Sequence, residues 1–438
     1  MGIGDTEDSG ARFSPPPYAV VVEDGSGQAQ LIVLAAEPGW HRWLAATFQV
    51  DRQGATVSCD LESHTEPEEA AKHVCVHNFA GKSGQTRHAL LRRGLMALYP
   101  GANEPRSDVP DWWLRPIYCG WGDQATTSMW LEGIGPQQRG LAFCIQGLYE
   151  RWVDRLDQAE VPVGTIIIDA GWSPAGWWKP DRERWPDLRG FVDRQHERGR
   201  KVLLWLATWL HDGLPDEWCV FDRGYRLTCD PSHPDYRAHA RACIHELLSP
   251  DGYDADGFKI DQLTYCPSQR SPCGGLRFGD CEYRAATDEP LQLAGGPDAP
   301  WGCELLYEHQ KDMYTAAKAA KPDCLVTSST VHPYFHDTFD MTRLHDTGPV
   351  EGDPIIAMAA RAELSRAALP HKPIDSDDWI TQDYQLWMRY TTQSHALGVP
   401  CTFYAERFVA NWQQEPATTP IPLADLRRIG DAWRAQGY

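Results

Sequence analysis

Two acidic residues stand directly after short apolar runs, a position typical of catalytic carboxylates at the ends of strands. Asp169 follows the run TIII, and Asp261 ends the segment GFKID. If this segment is a strand, Lys259 and Asp261 point to the same face because they are two residues apart. A nearby ammonium group favours an ionised carboxylate, which can act as a nucleophile. The spacing indicates nucleophilic chemistry at Asp261, and a purely structural ion pair with Lys259 explains it equally well.

Further polar side chains follow the later apolar runs of the chain. Arg343, His345 and Asp346 come after one run, Asp375 ends the next, and Glu406 follows the last. Hydrolysis of a glycosidic bond uses two carboxyl groups, one that attacks the sugar or activates water and one that protonates the leaving oxygen. These groups need different pKa values, which their neighbours must set. The chain therefore supplies the residue types that this chemistry requires.

The elements that would position these residues are short apolar segments that alternate with stretches of helical period. Strands are predicted at 117–121, 165–169, 202–206, 257–261, 324–328, 341–344, 372–375 and 401–404. Helices are predicted at 140–160, 187–199, 234–248, 304–320, 354–369, 382–397 and 423–436. This alternation predicts an α/β fold, a (β/α)8 barrel with its active site at the carboxyl ends of the strands. A doubly wound open sheet is disfavoured, because GWGDQATTSMW after the first strand lacks the G-x-G-x-x-G phosphate loop.

Tryptophan residues accompany the carboxylates at the predicted strand ends. Trp121 ends the first predicted strand, Trp172 follows the second, and Trp205 lies near the end of the third. The chain contains 19 Trp, and aromatic side chains line many ligand pockets, although most tryptophans pack in cores. A rim of carboxylates and aromatic rings suits a neutral carbohydrate.

Residues 1–110 differ in pattern from the rest and predict a smaller β-rich, sandwich-like domain. Short apolar segments at 18–22, 30–35 and 42–50 are separated by turn residues. The segment GANEPRSDVPD at 101–111 reads as a linker rich in turn residues. The catalytic barrel is therefore predicted at 111–438.

Charge and composition exclude several classes of partner. The formal net charge is −20, which repels nucleic-acid backbones and anionic membranes. No apolar run is long enough to span a bilayer, and the first residues, MGIGDTEDSG, lack the features of a secretory signal. The 13 Cys are scattered and odd in number, as in reducing compartments. We expect a cytoplasmic protein; the sequence leaves the oligomeric state open.

The long loop 263–301 after the fourth predicted strand contains or adjoins four cysteines. Cys266, Cys273, Cys281 and Cys303 lack the tight C-x2-C spacing of a zinc site. Ordinary thiols, a disulfide and a structural metal remain open for them. The histidines near Asp346 also match no metal-ligand spacing, so no cofactor and no metal are expected.

A resemblance to a known family rests on several motifs taken in order. The stretch GTIIIDAGW…KPDRERWPDLRGFVDRQHERGRKVLLW…DPSHPDYR…GFKIDQ resembles glycoside hydrolase family 36 and its relatives in families 27 and 31. Those families share Asp-x-Gly-Trp after the second strand and a W-P-D-L or F-P-D-L run before the second helix. Families 27 and 36 also carry Lys-x-Asp at the fourth strand. The matched core spans about residues 165–262, with looser correspondence from 115 onward.

The resemblance implies a role for most of the residues above. Asp261 matches the nucleophile, and Asp346 is the best match for the acid/base. The other matches would bind the sugar: Asp169, Trp172, Trp205, Lys259 and Arg343, with Trp121 and His345 at the same rim. Asp375 and Glu406 are reserve candidates for the acid.

The implied activity is that of a retaining, exo-acting α-glycosidase, similar to an α-galactosidase, that acts by double displacement. The sugar stays open, because position 170 is Ala where galactosidases often carry a second acid, and 327–330 lacks their Cys/Gly motif. The spacing from Arg343 to Asp346 is one residue shorter than in families 27 and 31, and their C-terminal β-domain has no counterpart in the sequence. Glycosyl transfer between sugars, a non-catalytic sugar-binding barrel and a metal-dependent barrel hydrolase are the alternatives.

Overall fold

The computed structural model describes residues 18–51, 54–105, 109–132, 140–261, 267–269, 287–344, 353–410 and 417–438. The chain forms a (β/α)8 barrel preceded by a smaller N-terminal region with antiparallel sheets, so the predicted fold class is confirmed. The division into domains at 110/111 stays a prediction. Within the described part of the chain, no helix combines the length and the apolar character needed to cross a membrane.

The N-terminal region contains two small antiparallel sheets. Its elements are β1 (Ala19–Glu23), β2 (Ala29–Ala36), β3 (Ala45–Val50), β4 (Ala55–Asp60), α1 (Pro67–His73), β5 (Val74–Ala80) and α2 (Arg87–Leu98). Strands β1, β2 and β5 form one sheet with β2 in the middle, and β3 pairs with β4. Helix α2 packs on β2 and begins after Thr86, whose hydroxyl oxygen accepts a hydrogen bond from the backbone N–H of Ala89.

The barrel region alternates strands and helices. Its elements are β6 (Ile117–Cys119), α3 (Trp121–Glu132), α4 (Gln146–Gln158), β7 (Thr165–Ile168), α5 (Leu188–Glu197), β8 (Lys201–Ala207), β9 (Cys219–Asp222), β10 (Tyr225–Cys229), α6 (Pro234–Leu248), β11 (Gly257–Asp261), α7 (Cys303–Ala320), β12 (Leu325–Ser328), β13 (Met341–Arg343), α8 (Pro354–Ala368), β14 (Ile374–Asp375), α9 (Tyr384–Gln393), β15 (Cys401–Thr402), β16 (Arg407–Ala410), β17 (Ala417–Pro420) and α10 (Leu423–Arg434). Strands β9 and β10 form one hairpin, and β16 and β17 form another.

Eight parallel strands make the barrel wall in the order β15, β6, β7, β8, β11, β12, β13, β14. A parallel bridge between Asp375 and Val399 joins the last strand to the segment before β15. The N–H of Ser376 donates to the carbonyl of Val399 at 3.0 Å, which supports this closure. The strands read as continuous apolar runs because both of their faces are buried.

The predicted barrel strands all occur, and the differences are local. Trp121 begins α3 instead of ending the first strand, and α3 was not predicted. Asp123 in its first turn accepts hydrogen bonds from the backbone N–H groups of Ala405 and Glu406, a long-range contact that sequence periodicity does not report. Between β12 and β13 the described residues form a single 3₁₀ turn at Pro333–Phe335 and no α-helix.

The N-terminal region packs directly on the barrel. The Tyr18 hydroxyl donates to the carbonyl of Val331 at 3.0 Å, and the N–H of His41 donates to a Glu304 carboxylate oxygen at 3.0 Å. Leu31 and Leu95 belong to the same buried apolar cluster as the barrel strands. The two regions therefore share one continuous core.

Candidate active site

Asp261 ends β11 at the carboxyl edge of the barrel and is held by two donors. Its Oδ1 accepts a hydrogen bond from Arg343 Nη2 at 2.7 Å, and its Oδ2 accepts one from Trp205 Nε1 at 3.1 Å. The backbone N–H and hydroxyl of Thr208 donate to the Asp261 carbonyl at 3.1 and 2.9 Å. The Asp261 side chain is 13% exposed, whereas that of Arg343 is 1% exposed. A fixed and solvent-accessible carboxylate can attack an electrophilic carbon.

Lys259 lies deeper in the barrel, and its direct partner is Asp169. Lys259 Nζ donates to Asp169 Oδ2 at 2.8 Å and lies 3.5 Å from the Cys119 sulfur. It also lies 5.1 Å from the centre of the Phe403 ring. Burial by itself would lower the pKa of Lys259, but the Asp169 carboxylate, with smaller effects from Cys119 and Asp261, raises this pKa well above its usual value. The ammonium group is therefore charged and helps to balance the carboxylates of the barrel mouth.

Arg343 joins Asp261 to a second carboxylate, that of Asp377. Arg343 Nη1 donates to Asp377 Oδ2 at 2.9 Å. The other oxygen of Asp377 accepts hydrogen bonds from the backbone N–H groups of Asp378 and Trp379 at 2.7 and 3.1 Å. Asp377 has a φ of +54°, a left-handed conformation that costs energy in a non-glycine residue. This tight turn fixes Asp377, and Asp377 in turn orients the guanidinium that holds Asp261.

Asp375 is a buried carboxyl group beside this network. It pairs with Arg343 across β13 and β14, so the two side chains share the face that points into the barrel. Burial and the nearby Asp377 carboxylate raise the pKa of Asp375 to about 7. Its Oδ1 accepts a hydrogen bond from the Asp377 N–H at 2.9 Å. Asp375 can therefore hold a proton near neutral pH while Asp261 is paired with a cation.

The three predicted tryptophans occupy different positions. Trp205 contacts Asp261 directly. Trp172 is fully buried, and its Nε1 donates to the carbonyl of Trp205 at 2.8 Å, so it supports the wall from behind. Trp121 is half-buried, and its ring centre lies 6.3 Å from that of Trp379.

Several predicted residues lie outside this cluster or outside the described residues. Asp346, His345, Cys266, Cys273 and Cys281 fall outside the part of the chain that the structure describes. Cys303 is a buried cysteine at the start of α7. The reserve residue Glu406 accepts hydrogen bonds from Arg151 and Trp152 of α4, both at its Oε2, and so faces α4.

Among the described residues, the group whose spacing would suit a metal ion is Asp193, His196 and Asp254. It lies apart from Asp261, on α5 and before β11. Arg189 binds Asp193 at 2.8 Å, and Lys321 binds Asp254 at 2.9 Å. Cationic side chains already pair with both carboxylates, so this group is an ion-pair network.

Sequence reasoning missed two contributors to the site. Asp377 was assigned no role from the sequence, and its pairing with Arg343 links residues 34 positions apart. Cys119 donates to Asp169 Oδ2 at 3.1 Å. The one sequence signal for Cys119 was its place in the first strand, two residues after Ile117, on the face that points into the barrel.

Comparisons with known proteins agree with the fold. No family model matches the chain. The chain is similar to the alpha-xylosidase XylQ of Lactiplantibacillus pentosus, with 28% identity over 81 residues, which are 18% of this chain and 11% of the xylosidase. The matched segment is thus a small part of that protein.

Two solved structures show the architecture over most of the chain. The cycloalternan-degrading enzyme from Trueperella pyogenes superposes with a TM-score of 0.56 and 17% identity, over 96% of this chain and 60% of that one. The alpha-galactosidase TtGalA from Thermus thermophilus, in complex with stachyose, gives a TM-score of 0.55 and 14% identity, over 95% of this chain and 79% of that one. At these identities the likeness establishes the shared barrel fold.

Proposed function

We propose that the protein is a retaining α-glycosidase that removes a terminal α-linked sugar, and that it belongs with glycoside hydrolase family 36 and its relatives. The observation that carries the proposal is the partly exposed Asp261 carboxylate at a barrel strand end, fixed by Arg343 and Trp205. Proteins named as an α-xylosidase, a cycloalternan-degrading enzyme and an α-galactosidase are among those similar to it. A carbohydrate substrate follows from the same features, and cytoplasmic location stays a prediction.

In the proposed mechanism, Asp261 attacks the anomeric carbon and forms a covalent glycosyl-enzyme while an acid protonates the leaving oxygen. The same acid, now a carboxylate, then removes a proton from water, which releases the sugar with its configuration retained. Lys259 and Asp169 would hydrogen-bond the sugar hydroxyls, and Arg343 would keep Asp261 ionised and aligned. The proposed terminal sugar is galactose, and a panel of substrates with different sugars tests this specificity.

The acid has two candidates. Asp346 is the residue that the family resemblance assigns, and its carboxyl group should lie about 5–5.5 Å from that of Asp261. Among the described residues, Asp375 has the protonation that the role requires, with a pKa raised to about 7. A general acid works best when its pKa lies near the operating pH.

The nucleophile is tested with Asp261→Asn on a panel of aryl α-galactosides, α-glucosides and α-xylosides. We expect kcat to fall by at least about 10³-fold on whichever substrate the native protein cleaves, because the amide cannot form the covalent intermediate. The matched control is Asp431→Asn, an exposed aspartate that pairs with Arg434, which should keep full activity. Full activity of Asp261→Asn would remove this residue from the role.

The acid is separated from the nucleophile by the leaving group. Replacement of the true acid by asparagine should spare an aryl glycoside with a very good leaving group and impair one with a poor leaving group. Asp346→Asn and Asp375→Asn are therefore compared on both substrates. Equal losses on the two substrates would exclude that residue as the acid.

Each alternative function has its own readout. Glycosyl transfer would yield new oligosaccharides when an acceptor sugar is added. A non-catalytic sugar-binding barrel would bind sugars without turnover on the whole panel. A metal-dependent hydrolase would lose activity on treatment with a chelator, whereas the proposed mechanism predicts no loss.

A further inference from the structure

A cavity lies beside the amino-terminal ends of α6 and α7, and none of the Asp261 cluster residues lines it. Its volume is about 230 Å³. The segment 295–300 forms one wall, and the helices contribute Arg237, Leu305, Glu308 and His309. Pockets for drug-sized ligands begin at about 300 Å³, so this cavity accepts a ligand of about one sugar ring.

The wall of the cavity is preformed by hydrogen bonds. Asp230 Oδ2 accepts from the backbone N–H of Ala294 at 2.7 Å. Ser232 Oγ accepts from the N–H of Gly295 at 2.8 Å and donates to Asp230 Oδ1 at 2.6 Å. These bonds fix the segment 295–300 against the loop before α6, so a ligand would not need to order it on binding.

His309 lines this cavity and carries a hydrogen-bond acceptor. Its Nε2 lies 2.9 Å from the carbonyl oxygen of Thr208, and since a carbonyl only accepts, Nε2 carries the proton. Burial lowers the pKa of His309 to about 4, so the ring is neutral and Nδ1 is an acceptor. The rings of Trp209 and Tyr236 lie 5.6 and 5.8 Å from the imidazole and fix its orientation. The imidazole is 4% exposed.

Arg237 lines the same cavity and supplies hydrogen-bond donors. Its Nε lies 3.7 Å from Asp312, beyond hydrogen-bonding distance. Arg241 instead takes Asp312 through its Nε, with hydrogen bonds of 2.9 and 3.1 Å to the two carboxylate oxygens. The Arg237 side chain is 44% exposed, and its guanidinium therefore keeps donors for a ligand.

The charged and apolar side chains that line the cavity indicate the class of ligand that it can bind. Asp298, Glu308 and Asp312 outweigh Arg237 in charge, so an anion is disfavoured. Among the described residues, the group with metal-ligand spacing is Asp193, His196 and Asp254, and none of these lines the cavity. The acidic side chains of the cavity therefore do not converge on one ion. Proline, alanine and leucine side chains add apolar surface that can cover the C–H face of a ring.

We propose that this cavity is a second binding site, which takes a neutral ligand with several hydroxyl groups, such as a single sugar ring. Hydroxyls would donate to His309 Nδ1 and Glu308 and accept from Arg237. Thr208 separates the cavity from the Asp261 backbone, since its carbonyl accepts from His309 while its N–H and hydroxyl bind the Asp261 carbonyl. The proposal goes beyond the catalytic function and does not depend on it.

The test is calorimetric titration with D-galactose, D-glucose, D-xylose and glycerol. We expect at least one sugar to bind, and His309→Gln to weaken that binding by about tenfold, because the Gln NH2 group keeps the donor for Thr208 while its carbonyl oxygen does not stand at the position of Nδ1. Ala299→Phe, which fills the cavity from the loop wall, should abolish the same binding. Glu363→Gln, on the outer surface of α8, is the matched control and should bind as the native protein does.

The Asp261→Asn variant separates this site from the catalytic proposal. Sugar binding that survives Asp261→Asn and is lost in both cavity variants supports the second site, even if the protein hydrolyses nothing. Sugar binding that is unchanged in folded His309→Gln and Ala299→Phe overturns the proposal. Absence of binding by all four probes, or binding of inorganic phosphate or calcium in their place, overturns it as well.

Discussion

Replacement of Lys259 by methionine is expected to lower the free energy of unfolding by about 3–5 kcal/mol, the cost of breaking a buried ion pair by removing one partner. The Lys259 and Asp169 side chains are 3% and 4% exposed, and their charged atoms are 2.8 Å apart. Without the ammonium group, Asp169 keeps only weaker neutral donors, the Cys119 thiol at 3.1 Å and the Ala170 N–H at 2.8 Å. A carboxylate buried in this way lacks a compensating charge.

The loss should depend on pH in a defined direction. The folded-state pKa of Lys259 is raised, so its contribution is fully present below the lysine value of about 10.4 in the unfolded chain and is lost only at higher pH. The native protein therefore keeps this contribution at neutral and acidic pH. In the variant, the buried charge without a partner is costly, and acidic conditions favour a neutral form of such a group. The difference between variant and native protein should thus shrink toward acidic pH.

Urea unfolding of both proteins at acidic and slightly alkaline pH measures this difference. Lys72→Met is the control, because Lys72 is 63% exposed in its pair with Glu69, and such a pair contributes less than about 1 kcal/mol. The double replacement of Lys259 by Met and Asp169 by Asn should recover part of the loss, since it removes the buried charge. A Lys259→Met variant as stable as the Lys72→Met control would refute the reasoning.

Two further predictions concern other parts of the barrel. Burial alone would raise the pKa of Asp256, but His196 and two lysines lower it to about 2. Asp256→Asn should therefore lower the free energy of unfolding by about 2 kcal/mol at neutral pH, and by progressively less from about pH 4 down to pH 2. Urea unfolding measures this loss. Gly257→Ala should cost several kcal/mol, because Gly257 has a φ of +148° and an added Cβ would lie 1.9 Å from the Leu325 carbonyl oxygen. Gly147→Ala, with open space around the added Cβ in a helix, is the control and should be neutral or stabilising when both variants are compared by urea unfolding.

The sequence was sufficient for the barrel because its strands are buried on both faces. Runs such as VLLWLA and TIII leave little ambiguity, and their order along the chain matches their order around the barrel. The N-terminal strand β5 and the hairpin of β9 and β10 were missed, since half-exposed strands carry a weaker pattern. Helix α3 was missed because its sequence, WGDQATTSMWLE, mixes polar and apolar residues without a clear apolar face.

The predicted site residues were read from strand ends, and that rule could not assign their partners. Lys259 and Asp261 share a face as predicted by their spacing, yet Lys259 pairs with Asp169 and Asp261 pairs with Arg343. Which cation pairs with which carboxylate depends on how the strands are staggered around the barrel. The spacing of residues within one strand does not predict this stagger. The role of Asp377 depends in addition on a left-handed backbone conformation, which aspartate adopts more readily than most residues but still in a small minority of cases.

The ion pairs at the barrel mouth influence whether a neighbouring carboxyl group is protonated. Among the described residues, these ion pairs join three carboxylates, those of Asp169, Asp261 and Asp377, to two cations, Lys259 and Arg343, which leaves an excess of one negative charge. One further ionised carboxylate would raise the excess to two, which agrees with the pKa of Asp375 at about 7. If Asp261 becomes esterified by a sugar, one negative charge disappears, and a neighbouring acid can then release its proton at lower cost. In the proposed double displacement, the charges of these groups would therefore favour a protonated acid before the attack of Asp261 and a carboxylate base after it.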